Sequence, residues 1–196
     1  MNKQLYILAF FIGVVIMGFE MVASRYINPY LGSGIMTWAG LISVVLFALM
    51  IGYFTGGIIA DKYHTPELLG YIIIVAALYL GIIPIAFDGV LSWLMSVVES
   101  QTTNIILGSF FLLFIPVALF GMFSPYAISL LLKSKKSSGR TAGFVYSIST
   151  LGNICGTLFT TFHLIPNIGS RNITFIFAAV SLICGFSLLC RKTNPQ

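Results

Sequence analysis

Long apolar runs, separated by short clusters of turn-forming and charged residues, set the pattern of this chain. About 20 apolar residues are enough to carry a helix across the hydrocarbon layer of a bilayer. The runs predict six such helices, over residues 5–26, 37–60, 68–87, 105–132, 141–164 and 173–189. The first loop, Asn28-Pro29-Tyr30-Leu31-Gly32-Ser33-Gly34, is dense in turn formers. A charged loop with Asp61, Lys62, His64, Pro66 and Glu67 follows the second helix, and Pro84 stands near the predicted end of the third. Residues 88–104 are mixed, and 90–98, with Trp93, read as a short interfacial helix. Pro116 and Pro125 interrupt the fourth helix, residues 133–140 form a basic loop, and Pro166-Asn167-Ile168-Gly169 makes the last turn.

Composition sharpens this picture. Of 196 residues, 58% are hydrophobic and 8% charged, too few polar groups to cover a soluble fold. Residues 1–196 therefore read as one all-α domain, a polytopic bundle of six transmembrane helices. The net charge of +5 is not a nucleic-acid patch, because the Lys and Arg residues stand at the ends of the spans. With the N-terminus inside, the inner segments hold Lys3, Lys62, Lys133, Lys135, Lys136, Arg140, Arg191 and Lys192, and the outer ones only Arg25 and Arg171. Eight against two predicts that both termini are cytoplasmic and that the protein sits in the inner membrane. Lys3 and the apolar run after it have the look of a signal peptide, but Val22-Ala23-Ser24 is a poor cleavage site, which favours a retained first helix. Cys155, Cys184 and Cys190 lie in apolar runs without paired spacing and read as small buried hydrophobes.

The polar residues within the spans carry the candidate chemistry. Glu20 falls roughly 22 Å into the first helix, at 1.5 Å per residue. An ionisable group at that depth usually faces a cavity or a partner and marks an ion or substrate path. Gly13, Met17 and Ser24 share its face. A carboxyl there can exchange a proton for a cation, or it can pair with Arg25 or Arg171 and serve only to orient helices. On the fifth helix Tyr146, Thr150, Asn153, Thr157 and Thr161 form one polar stripe, and Ser149, Gly152, Gly156 and Thr160 a second, small-residue stripe. The first lines a polar cavity or joins helices by hydrogen bonds; the second lets a backbone approach closely. Pro116 and Pro125 give the fourth helix a kink that either rocks in a gating cycle or is static. His163 has no second His nearby and reads as interfacial, while Tyr30, Trp38, Trp93 and Tyr126 suit aromatic belts. No phosphate loop, nucleophile elbow or close carboxylate pair is present, so no enzyme and no metal or organic cofactor is expected.

Gly52-x-x-x-Gly56 in the second helix is echoed by Gly152-x-x-x-Gly156 in the fifth. These helices hold equivalent places if the chain is two inverted units of three helices, as in the nested repeats of secondary transporters.

Two resemblances follow from these motifs. Gly57-Ile58-Ile59-Ala60-Asp61-Lys62 resembles the segment between helices two and three of major facilitator superfamily transporters, although His64-Thr65-Pro66 stands where that family continues with Gly-Arg-Arg. The resemblance implies a gating role for Asp61, holding a helix start or a basic residue such as Arg140. The Gly152/Gly156 segment is similar to the glycine-rich fifth helix of the same superfamily, without its proline. A second resemblance covers nearly the whole chain. Glu20-Met21-Val22-Ala23-Ser24-Arg25, Pro29-Tyr30-Leu31-Gly32-Ser33, Ser124-Pro125-Tyr126-Ala127, Gly139-Arg140-Thr141-Ala142-Gly143 and Leu164-Ile165-Pro166 resemble the membrane region of fused spermidine synthase-like proteins. There it precedes an aminopropyltransferase-like domain that residues 1–196 do not contain.

Together these features imply a facilitator-like half, a 3+3 inverted repeat completed by a second copy as a homodimer. The expected activity is proton-coupled export of cationic or amphipathic small molecules, polyamines among them by association. Glu20, Ser24, Arg25, Tyr146, Thr150, Asn153 and Thr157 are the expected substrate and proton site, and Asp61, Arg140, Pro116 and Pro125 the gate. The alternative is a membrane anchor or regulator for a separate spermidine synthase-like enzyme, bound through the basic loop.

Overall fold

The computed structural model describes residues 2–132 and 138–190. Among these every regular element is helical, and six helices are long and apolar enough to cross a membrane. They are α1 (Asn2–Leu31), α2 (Ile35–Lys62), α3 (Pro66–Val97), α4 (Gln101–Leu131), α5 (Ser138–Asn167) and α6 (Ser170–Leu189). The protein is thus a multi-pass membrane bundle.

The predicted helices are present, and most are longer than their apolar runs. The first loop shrinks to Gly32–Gly34, because α1 runs through Pro29 to Leu31. Proline fixes a helical φ, and near the end of a helix its missing N–H forfeits little. Gly32, at φ 77°, makes the turn, and the Thr37 hydroxyl donates to its carbonyl (2.9 Å). The interfacial helix expected over 90–98 is instead the continuation of α3, whose 32 residues extend to Val97. At 1.5 Å per residue α3 reaches about 48 Å, well beyond the hydrocarbon layer. Pro84 accordingly lies buried inside α3 rather than near its end. The last turn narrows to Ile168 and Gly169, since α5 continues through Pro166.

Two helices are irregular at their prolines. In α4 a π-helical turn, Phe110–Phe114, precedes Pro116, and a one-residue break at Met122 precedes Pro125. In α5 a π-helical turn, Thr160–Leu164, precedes Pro166. Proline cannot donate to the preceding turn, so carbonyls there need other donors. One such donor is visible: the Tyr79 hydroxyl of α3 donates to the Phe111 carbonyl at 2.6 Å.

Packing is most extensive between α1 and α5, α3 and α6, and α2 and α4. Small residues set these contacts. A Cβ at Gly152 would lie 2.1 Å from the Phe10 carbonyl oxygen, and one at Gly156 2.4 Å from that of Val14. On the other side Gly52 meets the Ala118 carbonyl and Gly56 meets Met122. Gly70 of α3 and Gly185 of α6 face each other's carbonyls. The Gln4 side chain donates to the Ser187 carbonyl (2.7 Å), so the start of α1 and the end of α6 share one end of the bundle.

Candidate functional site

Glu20 is only 6% exposed on α1, with no hydrogen-bond or ion-pair partner among the described residues. Neither arginine weighed as its partner takes that role. Arg171 pairs with Asp88 of α3, and Arg25 is exposed at the end of α1. An unpaired carboxyl at this depth is costly and marks a candidate site.

The surroundings of Glu20 follow from helix register. Gly13, Met17 and Ser24 share its face; Gly13 is buried like Glu20, and Met17 and Ser24 are half-buried. Beside α1 lies α5. A Cβ at Gly13 would touch the Ser149 carbonyl and stand 3.0 Å from Asn153 Oδ1; a Cβ at Gly18 would stand 2.8 Å from Thr160 Oγ1. At Gly13, two turns before Glu20, the Glu20 face of α1 therefore meets Ser149 and Asn153 of α5, while Gly18, which meets Thr160, lies on the opposite side of α1. Tyr146 and Thr150 are exposed, and Asn153, Thr157 and Thr161 are half-buried. The Thr157 hydroxyl turns back to the Asn153 carbonyl (2.9 Å) and that of Ser24 to the Met21 carbonyl (2.8 Å). Asn153 Oδ1, Thr160 Oγ1 and Thr161 Oγ1 are buried without protein partners. Such atoms call for water or a ligand. Tyr53 of α2 lies within electrostatic range of Tyr146.

The expected gate residues separate into two groups. Asp61 and Arg140 are both exposed and form no ion pair with each other. Pro116 is buried beside its π turn, and Pro125 is half-buried just after the break in α4. What ties this end of the bundle is Tyr126, which is fully buried and does not belong to an aromatic belt. Its hydroxyl meets the carbonyls of Tyr63 and Thr65 (3.0 Å to the latter), while His64 Nδ1 and Ser129 Oγ lie 3.1 Å apart. The α2–α3 turn is thus latched to the end of α4. Only the Pro-Tyr motif hinted at this, since a tyrosine near a span end is ordinarily interfacial. The basic residues Lys133, Lys135, Lys136, Arg191 and Lys192 lie outside the described residues.

No family model matches the chain, and neither does any curated protein or solved structure.

Proposed function

We propose that the protein is a half-size, facilitator-like transporter that works as a homodimer and exchanges protons for cationic or amphipathic small molecules. The observation that carries this reading is the buried, unpaired Glu20 carboxyl on a face of α1 that meets Ser149 and Asn153 of α5 at Gly13. A carboxyl in that position binds a proton or a cation but not both, which is the minimal requirement of an antiporter.

Two further features support a bundle of inverted three-helix units. Exchanging α1 with α4, α2 with α5 and α3 with α6 converts the α1–α5 pairing into the α4–α2 pairing and returns α3–α6 to itself. The contacts obey the same exchange: Gly152 and Gly156 on Phe10 and Val14 correspond to Gly52 and Gly56 on Ala118 and Met122. The same offsets carry Gly13 against Ser149 to Gly121 against Leu49. Transporters built this way bind substrate at the interface of paired units, and six helices supply one side of that interface. A second copy supplies the other. It meets the first along α5, the least buried of the six spans, and the exposed face of α2. The inner-segment bias of Lys and Arg supports cytoplasmic termini in an inner membrane.

The test uses the purified protein in vesicles with an imposed pH gradient and a fluorescent lipophilic cation. Wild type moves the cation against the proton flow, Glu20→Asp retains part of the rate, and Glu20→Gln loses the dependence on the gradient. Undiminished, still pH-dependent transport by Glu20→Gln overturns the role of Glu20. A monomer by light scattering, or association with an enzyme in place of transport, favours the anchor instead.

A further inference from the structure

At the end of the bundle opposite the start of α1 and the end of α6, residues of α1, α3 and α6 line an open pocket of about 460 Å³, among them Arg25, Tyr26, Tyr30, Asp88, Ser170 and Arg171. Its charge does not balance. Asp88 is committed to Arg171, leaving Arg25 with no counter-ion among the described residues. The depth of the cavity follows from α6. Its 20 residues span about 30 Å, the thickness of the hydrocarbon layer. Ser170 and Arg171, in its first turn, therefore stand at the level of the lipid headgroups. Arg25 opens on the same cavity and shares that level.

From this geometry we infer that the cavity is a binding site for the phosphodiester of an anionic phospholipid, held between the Arg25 and Arg171 guanidinium groups. A phosphodiester brings one negative charge to the one uncompensated positive charge. Guanidinium suits it because its N–H groups match a pair of phosphate oxygens. The uncapped first turn of α6, preceded by Gly169, adds backbone N–H groups to the same wall. Among the lining residues Asp88 is the only carboxylate, and Arg171 already neutralises its charge, so the cation of a zwitterionic headgroup meets no uncompensated negative charge there. Tyr26 and Tyr30 place amphipathic rings beside the site, as membrane interfaces favour. The inference requires that the chain span a membrane, and does not require that it transport anything.

The experiment is calorimetric titration of the full chain in a neutral detergent with dihexanoyl phosphatidylglycerol, dihexanoyl phosphatidylcholine and inorganic phosphate in parallel. Wild type binds phosphatidylglycerol saturably, phosphatidylcholine more weakly and inorganic phosphate least. Arg25→Gln and Arg171→Gln each lose about tenfold or more in affinity, as expected when a charge-assisted hydrogen bond is removed, and Arg25→Lys retains part of it. The melting temperature of each variant reports that it is folded, and Arg25 is exposed, so its replacement leaves the packing intact. Absence of phosphatidylglycerol binding by wild type, or undiminished binding by Arg25→Gln, overturns the site. Equal binding of phosphatidylcholine overturns the anionic headgroup, and equal binding of inorganic phosphate overturns the lipid.

Discussion

Gly152 and Gly81 are both mid-span glycines, yet their surroundings make them opposites. A methyl group at Gly152 collides with the Phe10 backbone, which cannot move without separating α1 from α5. At Gly81 of α3 the same methyl meets nothing within 4 Å. Overpacking of a tight contact costs about 1–3 kcal/mol, whereas alanine in an open helical position gains about 0.5–1 kcal/mol over glycine. Gly152→Ala should therefore lower the melting temperature in detergent while Gly81→Ala leaves it unchanged or raises it. The spacing of Gly152 and Gly156 made their packing role legible in the sequence. Glu20 was legible as well, because a lone acid in an apolar run stands out, but its isolation was not. Only the folded chain sends Arg171 to Asp88 and leaves the carboxyl unpaired.

At the scale of elements, the turn between α2 and α3 is held by a group that its charge pattern does not point to. Asp61 and Arg140, the charged residues of the expected gate, are both exposed and form no ion pair with each other. The buried Tyr126 hydroxyl does the tethering, through the carbonyls of Tyr63 and Thr65. Removing a hydroxyl that satisfies backbone carbonyls costs about 1–3 kcal/mol. Tyr126→Phe should make the amides around 61–66 exchange with deuterium markedly faster, with the centres of α1 and α5 unaffected. Equal exchange would show that the latch carries no weight. The ends of α1 and α3 lie beyond their apolar runs for a related reason. Proline and polar residues weaken a helix signal, but a chain already inside a bundle keeps its helix wherever neighbours supply contacts and hydrogen bonds. α3 shows this by continuing as one helix through Pro84 and Asp88.

For the whole molecule, the exposed apolar face of α5 calls for a cover. Leu151, Ile154, Leu158 and Phe162 on this helix are all exposed, and so is Ile183 on α6. In the proposed dimer the first group meets a second copy and Ile183 meets lipid. With Cys155, Cys184 and Cys190 replaced by Ala, Leu158→Cys should cross-link between copies in native membranes under a short bis-maleimide, and Ile183→Cys should not. The reverse pattern would place the interface on α6 and leave the polar stripe of α5 facing lipid.

The amino-acid sequence alone determined that this protein is a six-helix membrane bundle, because crossing the hydrocarbon layer demands long apolar runs whatever surrounds them. It also revealed Glu20 and the polar stripe of α5, since polar residues in such runs are few. Which helices pair, that Glu20 has no ion-pair partner among the described residues, and that Tyr126 ties the α2–α3 turn to α4 were decided only by the tertiary structure. These depend on contacts between residues far apart in the chain, and hydropathy carries no information about which face of one helix meets which face of another.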